Sequence, residues 1–418
     1  MRWLYTLAWL VGLPFAFLYL LWRARRQPDY LRHWPERLGW LTLSEARPVI
    51  WLHAVSVGET RAAAPLIHAL LARHPNHTLL LTHATPTGRA SGRALFGDTI
   101  SQAYLPYDLP WLARRFLSRA RPVLGIVMET EVWPNLYAEC ARRDIPLFLV
   151  NARLSERSAR GYRRFDRLAR PAFASLSGVA AQSMADAERL HGLGARAITV
   201  CGNLKFDVAP PPDTAARAAE LRQLFGERFV WLAASTRDGE EALLLDALAQ
   251  LDLAGLLLVI VPRHPQRFDA VARLIEAHGH HCPRRSRNEA PAASDRVYLG
   301  DSMGEIAAYA QACDLAVIGG SLLPFGGQNP IEIAAAGKPI LLGPHTWNFE
   351  TISHELVQCG GALRVQDAAA LAQAVRELLA DAALRTGMGA AGTAFAHGHR
   401  GTTERLLQLL EPHLAAKP

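Results

Sequence analysis

The chain has 418 residues, half of them apolar and a fifth charged, with a formal net charge of +7. That composition excludes a disordered or fibrous protein, and the length exceeds what one hydrophobic core usually supports, so two domains of roughly 200 residues each are expected. The basic balance favours anionic partners, but no Lys/Arg run is long enough to read as a nucleic-acid arm, and nucleic acid is not expected among them. The cysteines Cys140, Cys201, Cys282, Cys313 and Cys359 are widely spaced, odd in number and contain no C-x-x-C pair, which argues against a zinc site or a disulfide framework.

In chain order the first element is the run over residues 3–22, WLYTLAWLVGLPFAFLYLLW, which carries no ionisable acid or base beyond tyrosine. Its length is about that needed to cross a bilayer. Arg23, Arg25 and Arg26 follow at once, with Arg32 and Arg37 beyond, against Arg2 alone on the other side. The positive-inside bias then predicts that the bulk of the chain lies in the cytoplasm. Trp3, Tyr5, Tyr19 and Trp22 lie near the two ends, where amphipathic rings prefer the headgroups. A cleaved signal peptide would carry its charges before a shorter apolar core, so residues 1–26 read as a signal-anchor. Gly12 and Pro14 leave open a bent segment lying in one leaflet, and either form tethers the protein.

Residues 27–207 alternate strand and helix. Apolar runs at 49–54, 78–81, 123–128, 147–150 and 179–181 predict strands, with helices over 62–73 and 136–143. The tract VAPPPDT at 208–214 sets three prolines in a row and predicts a linker. The alternation restarts over 215–418, with strands at 229–234, 256–261, 297–299, 314–318 and 340–342 and helical patterns at 238–249, 265–278 and 368–414. The fold class is α/β: two Rossmann-like, doubly wound domains facing a crevice, with ligands expected at the carboxyl ends of the strands.

The polar clusters fall at those ends. HAVSVGET (53–60) closes the first strand and opens a helix, so Glu59 projects from a helix N-terminus, as a general base or as an acid complementing the macrodipole. Glu129 and Glu131 of ETEVWPN (129–135) sit beside Trp133, where burial would suit a role with a developing cation; they could also pair with the arginines of NARLSER (151–157). GNLKFD (202–207) offers Lys205 to a carboxylate or phosphate, or to solvent. In ASTRDGEE (234–241), Ser235, Thr236 and the following amides form a phosphate cradle or a capping box. Arg263 of VPRHP (261–265) could meet a phosphate or base edge, and the acid of GDSMGE (300–305) could take ribose hydroxyls. The run GGSLLPFGGQNPIE (319–332) spends four glycines, which calls for close passage around a ligand, and Asn329 with Glu332 reads as a helix start.

In order and spacing the anchor, HAVSVGET, TPTG (85–88), LPYDLP (105–110), METEVWPN (128–135), NARLS (151–155), GNLKFD, VPRHP, GDSMGE and GGQNPIE resemble the 3-deoxy-D-manno-octulosonic acid (Kdo) transferases of lipopolysaccharide assembly, which are GT-B glycosyltransferases. The resemblance implies an inverting transfer of Kdo from CMP-Kdo to a lipid A precursor, lipid IVA; no metal or other cofactor is expected, since the sequence offers no D-x-D or H-E-x-x-H. It implies Glu59 as general base and Glu129 and Lys205 as transition-state stabilisers. The CMP site would comprise Pro262, Arg263, Met303, Gly304, Glu305, Asn329, Pro330, Ile331 and Glu332, with the cradle of Ser235 and Thr236 beside it. It further implies an acceptor-binding domain over 27–207, a CMP-sugar-binding domain over 215–418, and contact with anionic inner-membrane lipids. The rival readings are a GT-B transferase using a UDP sugar on another membrane lipid and a non-catalytic lipid-presenting protein.

Overall fold

The computed structural model describes residues 1–25, 27–43, 47–251, 253 and 255–414; Arg26, counted above with the basic flank, lies outside the described residues. The chain divides into two units, one made of Met1–Val208 together with the stretch from Arg400 onward, the other of Ala209–His399.

In the first unit, strands β1 (Val49–His53), β2 (Thr78–His83), β3 (Ser101–Tyr104), β4 (Pro122–Met128), β5 (Leu147–Ala152), β6 (Gly178–Ala181) and β7 (Ile198–Val200) form one sheet in the order β3-β2-β1-β4-β5-β6-β7. Every pairing is parallel. Central strands of such a sheet are covered on both faces, and all five residues of β1 are buried. Successive side chains alternate between two cores. Val49 and Trp51 join Phe116, Tyr137 and Phe173 on one face, while Ile50 and Leu52 join Leu66, Ile67 and Phe148 on the other.

The second of these cores also holds Leu406, Leu407, Leu410 and Leu414. They belong to the helix Thr402–Leu414, whose period-3.6 apolar stripe completes the first unit's core. This corrects the expectation that 215–418 forms one domain: the second unit stops at His399, because the last helix has its apolar partners in the first.

In the second unit, β8 (Phe229–Thr236), β9 (Leu256–Pro262), β10 (Val297–Leu299), β11 (Leu315–Ile318), β12 (Ile340–Leu342) and β13 (Ala362–Arg364) form a parallel sheet in the order β10-β9-β8-β11-β12-β13. Strand order reverses between β1 and β4 in the first sheet and between β8 and β11 in the second. At such a switch point neighbouring loops leave to opposite faces, which opens a crevice at the carboxyl ends of the strands. The N-terminal helix runs unbroken over Arg2–Ala24 with Pro14 inside it.

Candidate active site

In the first unit the switch point carries Glu59, just past β1, and Glu129, just past β4. The helix Val57–Arg73 starts at Ser56, whose hydroxyl accepts from the Glu59 amide (3.3 Å) and donates to Glu59 Oε1 (2.9 Å), while the Val55 amide donates to Oε2 (2.9 Å). The acid is therefore the far half of a capping box, and its carboxylate is held in one orientation. Burial raises its proton affinity above the ordinary carboxylate range. The Glu129 charge pushes the same way, and the Val55 amide, the Ser56 hydroxyl and the Lys205 charge oppose them.

Glu129 stands in the left-handed region (φ 55°), as does Asn151 (φ 52°) at the end of β5. Non-glycine residues held there store strain of about 1 kcal/mol or more, and such residues concentrate at functional sites. The ion pair of Glu129 goes to Lys205 rather than to the arginines of 151–157, with Lys205 Nζ 3.8 Å from Glu129 Oε1. Lys205 lies on the 3-10 turn Leu204–Asp207, which a buried amide network holds. Asn151 Oδ1 accepts from the Leu204 amide (3.0 Å), and the Asn151 carbonyl accepts from Gln182 Nε2 (2.9 Å). Gln182 Oε1 accepts from Asn203 Nδ2 (3.0 Å), and Asn203 Oδ1 accepts from the Lys205 amide (3.0 Å). Sequence reasoning gave no role to Asn151, Gln182 or Asn203; the available signal was polar amides at the ends of otherwise apolar strands.

Glu131 completes a set of three carboxylates. Burial, then the charges of Glu59 and Glu129, push it up to about 7, so its protonation changes within the neutral range. His53, in the same motif as Glu59, is fully buried with Nδ1 on Thr82, and burial brings it down to about 3. It is a neutral core group and not an acid-base candidate.

In the second unit the named residues gather around the β8/β11 switch. Ser235 takes a left-handed φ of 61° at the end of β8, and a Cβ on Gly319 would stand 2.3 Å from its carbonyl oxygen, so that glycine is required by close backbone passage. The glycine-rich loop is tied down by Glu240. This buried acid accepts from the amides of Arg237 (2.8 Å), Gly320 (2.6 Å), Leu322 (3.0 Å) and Leu323 (3.3 Å). Arg263 follows Pro262 at the end of β9, donates its amide to the Thr236 carbonyl (3.0 Å) and its Nε to Gln328 Oε1 (3.2 Å) of the same loop. His264 is lowered by burial and then by the charges of Arg237, Arg263 and Arg267, which records how concentrated positive charge is here. Asn329 Oδ1 accepts from the Ile331 amide (3.1 Å) and its Nδ2 donates to Glu332 Oε1 (3.3 Å); Pro330 and Ile331 are buried and Glu332 is exposed.

Two side chains face elsewhere than the bare sequence suggests. The Thr236 hydroxyl is buried and donates to Glu241 Oε1 (2.6 Å), which Arg267 also holds, so Ser235 and backbone amides are the groups left for a phosphate. Glu305 is buried and accepts from Arg285 (3.1 and 3.3 Å) and Arg217 (3.1 Å). Burial works to raise it, and the Arg285 and Ser302 hydrogen bonds bring it below its usual value, so its partners here are its own unit's guanidiniums. Met303 and Gly304 beside it are exposed, with Gly304 at φ 81°.

Residues 32–208 match the family model described as 3-Deoxy-D-manno-octulosonic-acid transferase (kdotransferase). The chain is 42% identical to a 3-deoxy-D-manno-octulosonic acid transferase of Bordetella pertussis, with 99% of each chain covered. It is 38% identical to one of Haemophilus influenzae, again with 99% of each covered. Among solved structures, the UDP-GlcNAc 2-epimerase of Neisseria meningitidis matches 87% of this chain and 100% of its own, at a TM-score of 0.61 and 12% identity, a likeness of fold alone. The two parallel sheets have the GT-B pattern.

Proposed function

The chain belongs to the 3-deoxy-D-manno-octulosonic acid transferase family of glycosyltransferases, and on that premise we propose that it moves Kdo from CMP-Kdo to a sugar hydroxyl of a lipid A precursor, lipid IVA, at the cytoplasmic face of the inner membrane. The observation that carries this reading is the joint placement of Glu59, Glu129 and Lys205 at the carboxyl ends of one sheet, around its switch point.

Glu59 acts as the base. Its carboxylate takes the acceptor hydroxyl's proton as that oxygen bonds to the anomeric carbon, and the bond from that carbon to the CMP phosphate oxygen breaks with its electron pair leaving on CMP. Raised proton affinity suits this task, since a base of ordinary carboxylate strength has less drive to accept a proton at neutral pH. The breaking bond leaves oxocarbenium character on the sugar, which the Glu129 carboxylate stabilises, while Lys205 pairs with the sugar's own carboxylate. Attack opposite the leaving group inverts the anomeric centre. In the second unit, Arg263, the Ser235 turn, the loop over 319–328 and the segment Asn329 to Glu332 receive the nucleotide, with Pro262, Met303, Gly304 and the Glu305 ion pairs framing it. The charge of Arg237 and Arg263 neutralises the phosphate, Arg267 being held by Glu241.

The test is incubation of the full chain with CMP-Kdo and lipid IVA, with the lipid's mass as readout. A mass gain of whole Kdo units is expected. Glu59→Gln should lower turnover by about 10²–10⁴-fold while CMP affinity stays unchanged. A variant that turns over at the wild-type rate would remove Glu59 from the base position, and product from a UDP sugar alone would replace the donor.

A further inference from the structure

The N-terminal helix is apolar on all sides, and the structure gives its two sides different neighbours. One stripe, Tyr5, Thr6, Trp9, Gly12, Leu13, Ala16, Phe17, Leu20 and Ala24, recurs at helical spacing and is shielded by the first unit along its length. At one end Asn135 Nδ2 donates to Thr6 Oγ1 (3.0 Å), with Asn135 itself buried and bonded to the Asp108 carbonyl (2.7 Å). In the middle the rings of Trp9 and Phe17 meet Tyr107 (centroids 5.7 and 6.0 Å), and Phe17 meets Trp34 (4.5 Å). At the other end Leu20 and Ala24 pack with Tyr30. The opposite side, with Leu4, Leu7, Val11, Phe15, Leu18 and Trp22, is exposed.

From Thr6 to Ala24 the shielded stripe runs about 27 Å along the axis at ~1.5 Å per residue, close to the ~30 Å of a bilayer's hydrocarbon core. A helix standing upright in the bilayer would carry that whole stripe into hydrocarbon. The stripe's partners would have to enter with it, including Asp108 and Asn135, or be stripped away. Lying along the surface costs neither.

The geometry points to a helix that lies in the plane of one leaflet, its inner stripe docked on the first unit and its outer stripe buried among acyl chains. This rests on the membrane association proposed above. The flanks fit a lipid occupant, since Arg2 at one end and Arg23 and Arg25 at the other are exposed cations within reach of anionic headgroups. The helix thereby needs no polar face. Interfacial helices usually show one to water, whereas here protein covers that side, so the sequence reads as a span by composition alone.

Leu4, Val11 and Leu18 share the exposed stripe, seven residues apart, and span about 21 Å of axis. Leu4→Cys, Val11→Cys and Leu18→Cys, each in the full chain carrying Cys359→Ser, would be labelled with a small fluorophore. The labelled chains would be bound to vesicles containing anionic lipid, with bromine at a shallow or a deep acyl position. Equal loss of emission at all three sites, from one side of sealed vesicles, is expected. Deep quenching that peaks at Val11→Cys, with Leu4→Cys reaching the far leaflet, would overturn the in-plane helix and leave membrane association standing. No quenching at any site would sink both, and unquenched labels in an oligomer would assign the stripe to a second copy.

Discussion

At Glu59, the proposed base, the balance of burial and Glu129 against Val55, Ser56 and Lys205 sets the pH at which the carboxylate is ionised. The neighbours' signs make this testable in two directions. Lys205→Met removes a charge that favours the carboxylate, so the acid limb of kcat/KM should move to higher pH; Glu129→Gln removes a repelling charge and should move it to lower pH. Both variants should also turn over more slowly. Limbs that moved the same way would show that the three groups are not electrostatically joined. Glu131 gives a stability counterpart. Its folded value of about 7 lies above the ordinary 4.5, so the unfolded chain binds fewer protons between these values, and stability falls as pH rises through that window and levels off above it. Glu131→Gln should therefore gain on the order of 2 kcal/mol over the parent at pH 8, after allowance for its partial exposure, and almost nothing at pH 4, read by urea unfolding at both pH values.

Among the elements, the loop after β11 shows how one side chain fixes a binding surface. Glu240 takes three amides of that loop, those of Gly320, Leu322 and Leu323, besides the Arg237 amide of its own turn, and without it those N–H groups lose their partner, at about 1–3 kcal/mol each where solvent cannot reach them. Glu240→Ala should lower the second unit's calorimetric transition by several degrees and weaken CMP binding, while Glu240→Gln, which keeps an acceptor, should recover part of both. The sequence showed this acid only as one of a pair in ASTRDGEE, because an acid at a helix start reads the same whether it caps its own helix or reaches a loop 80 residues on. The long central strands were legible as apolar runs, since both of their faces are covered. β3 and β13 were not. Each is an edge strand of three or four residues with a single partner, and Ser101, Gln102 and Arg364 interrupt the pattern. At the site, Glu59, Glu129 and Lys205 were visible as charged residues at strand ends. The amides of Asn151, Gln182 and Asn203 were hidden, because a structural network of neutral groups leaves no charge pattern to read.

Across the whole molecule, the helix Thr402–Leu414 decides which unit depends on the end of the chain. Its four buried leucines contribute about 1.5–3 kcal/mol each to the first unit's core. Asp207 fastens the helix start by accepting from the amides of Gly401 (2.8 Å) and Thr403 (2.6 Å). Truncation after His399 should therefore unfold the first unit and spare the second. Calorimetry of the truncated chain would keep the second unit's transition, identified by its response to the proposed ligand CMP, and lose the first unit's; loss of the second unit's transition instead would reverse the assignment.

The polypeptide thus leaves the first unit at Val208 and re-enters it at Arg400. On the ribosome, the groove awaiting Leu406, Leu407, Leu410 and Leu414 stays open while Ala209 to His399 are made, roughly 10–40 s at ~5–20 residues per second. Over that interval a greasy surface and an already emerged N-terminal helix coexist on one nascent chain, so early delivery to the lipid would shield the helix while the groove still needs a chaperone.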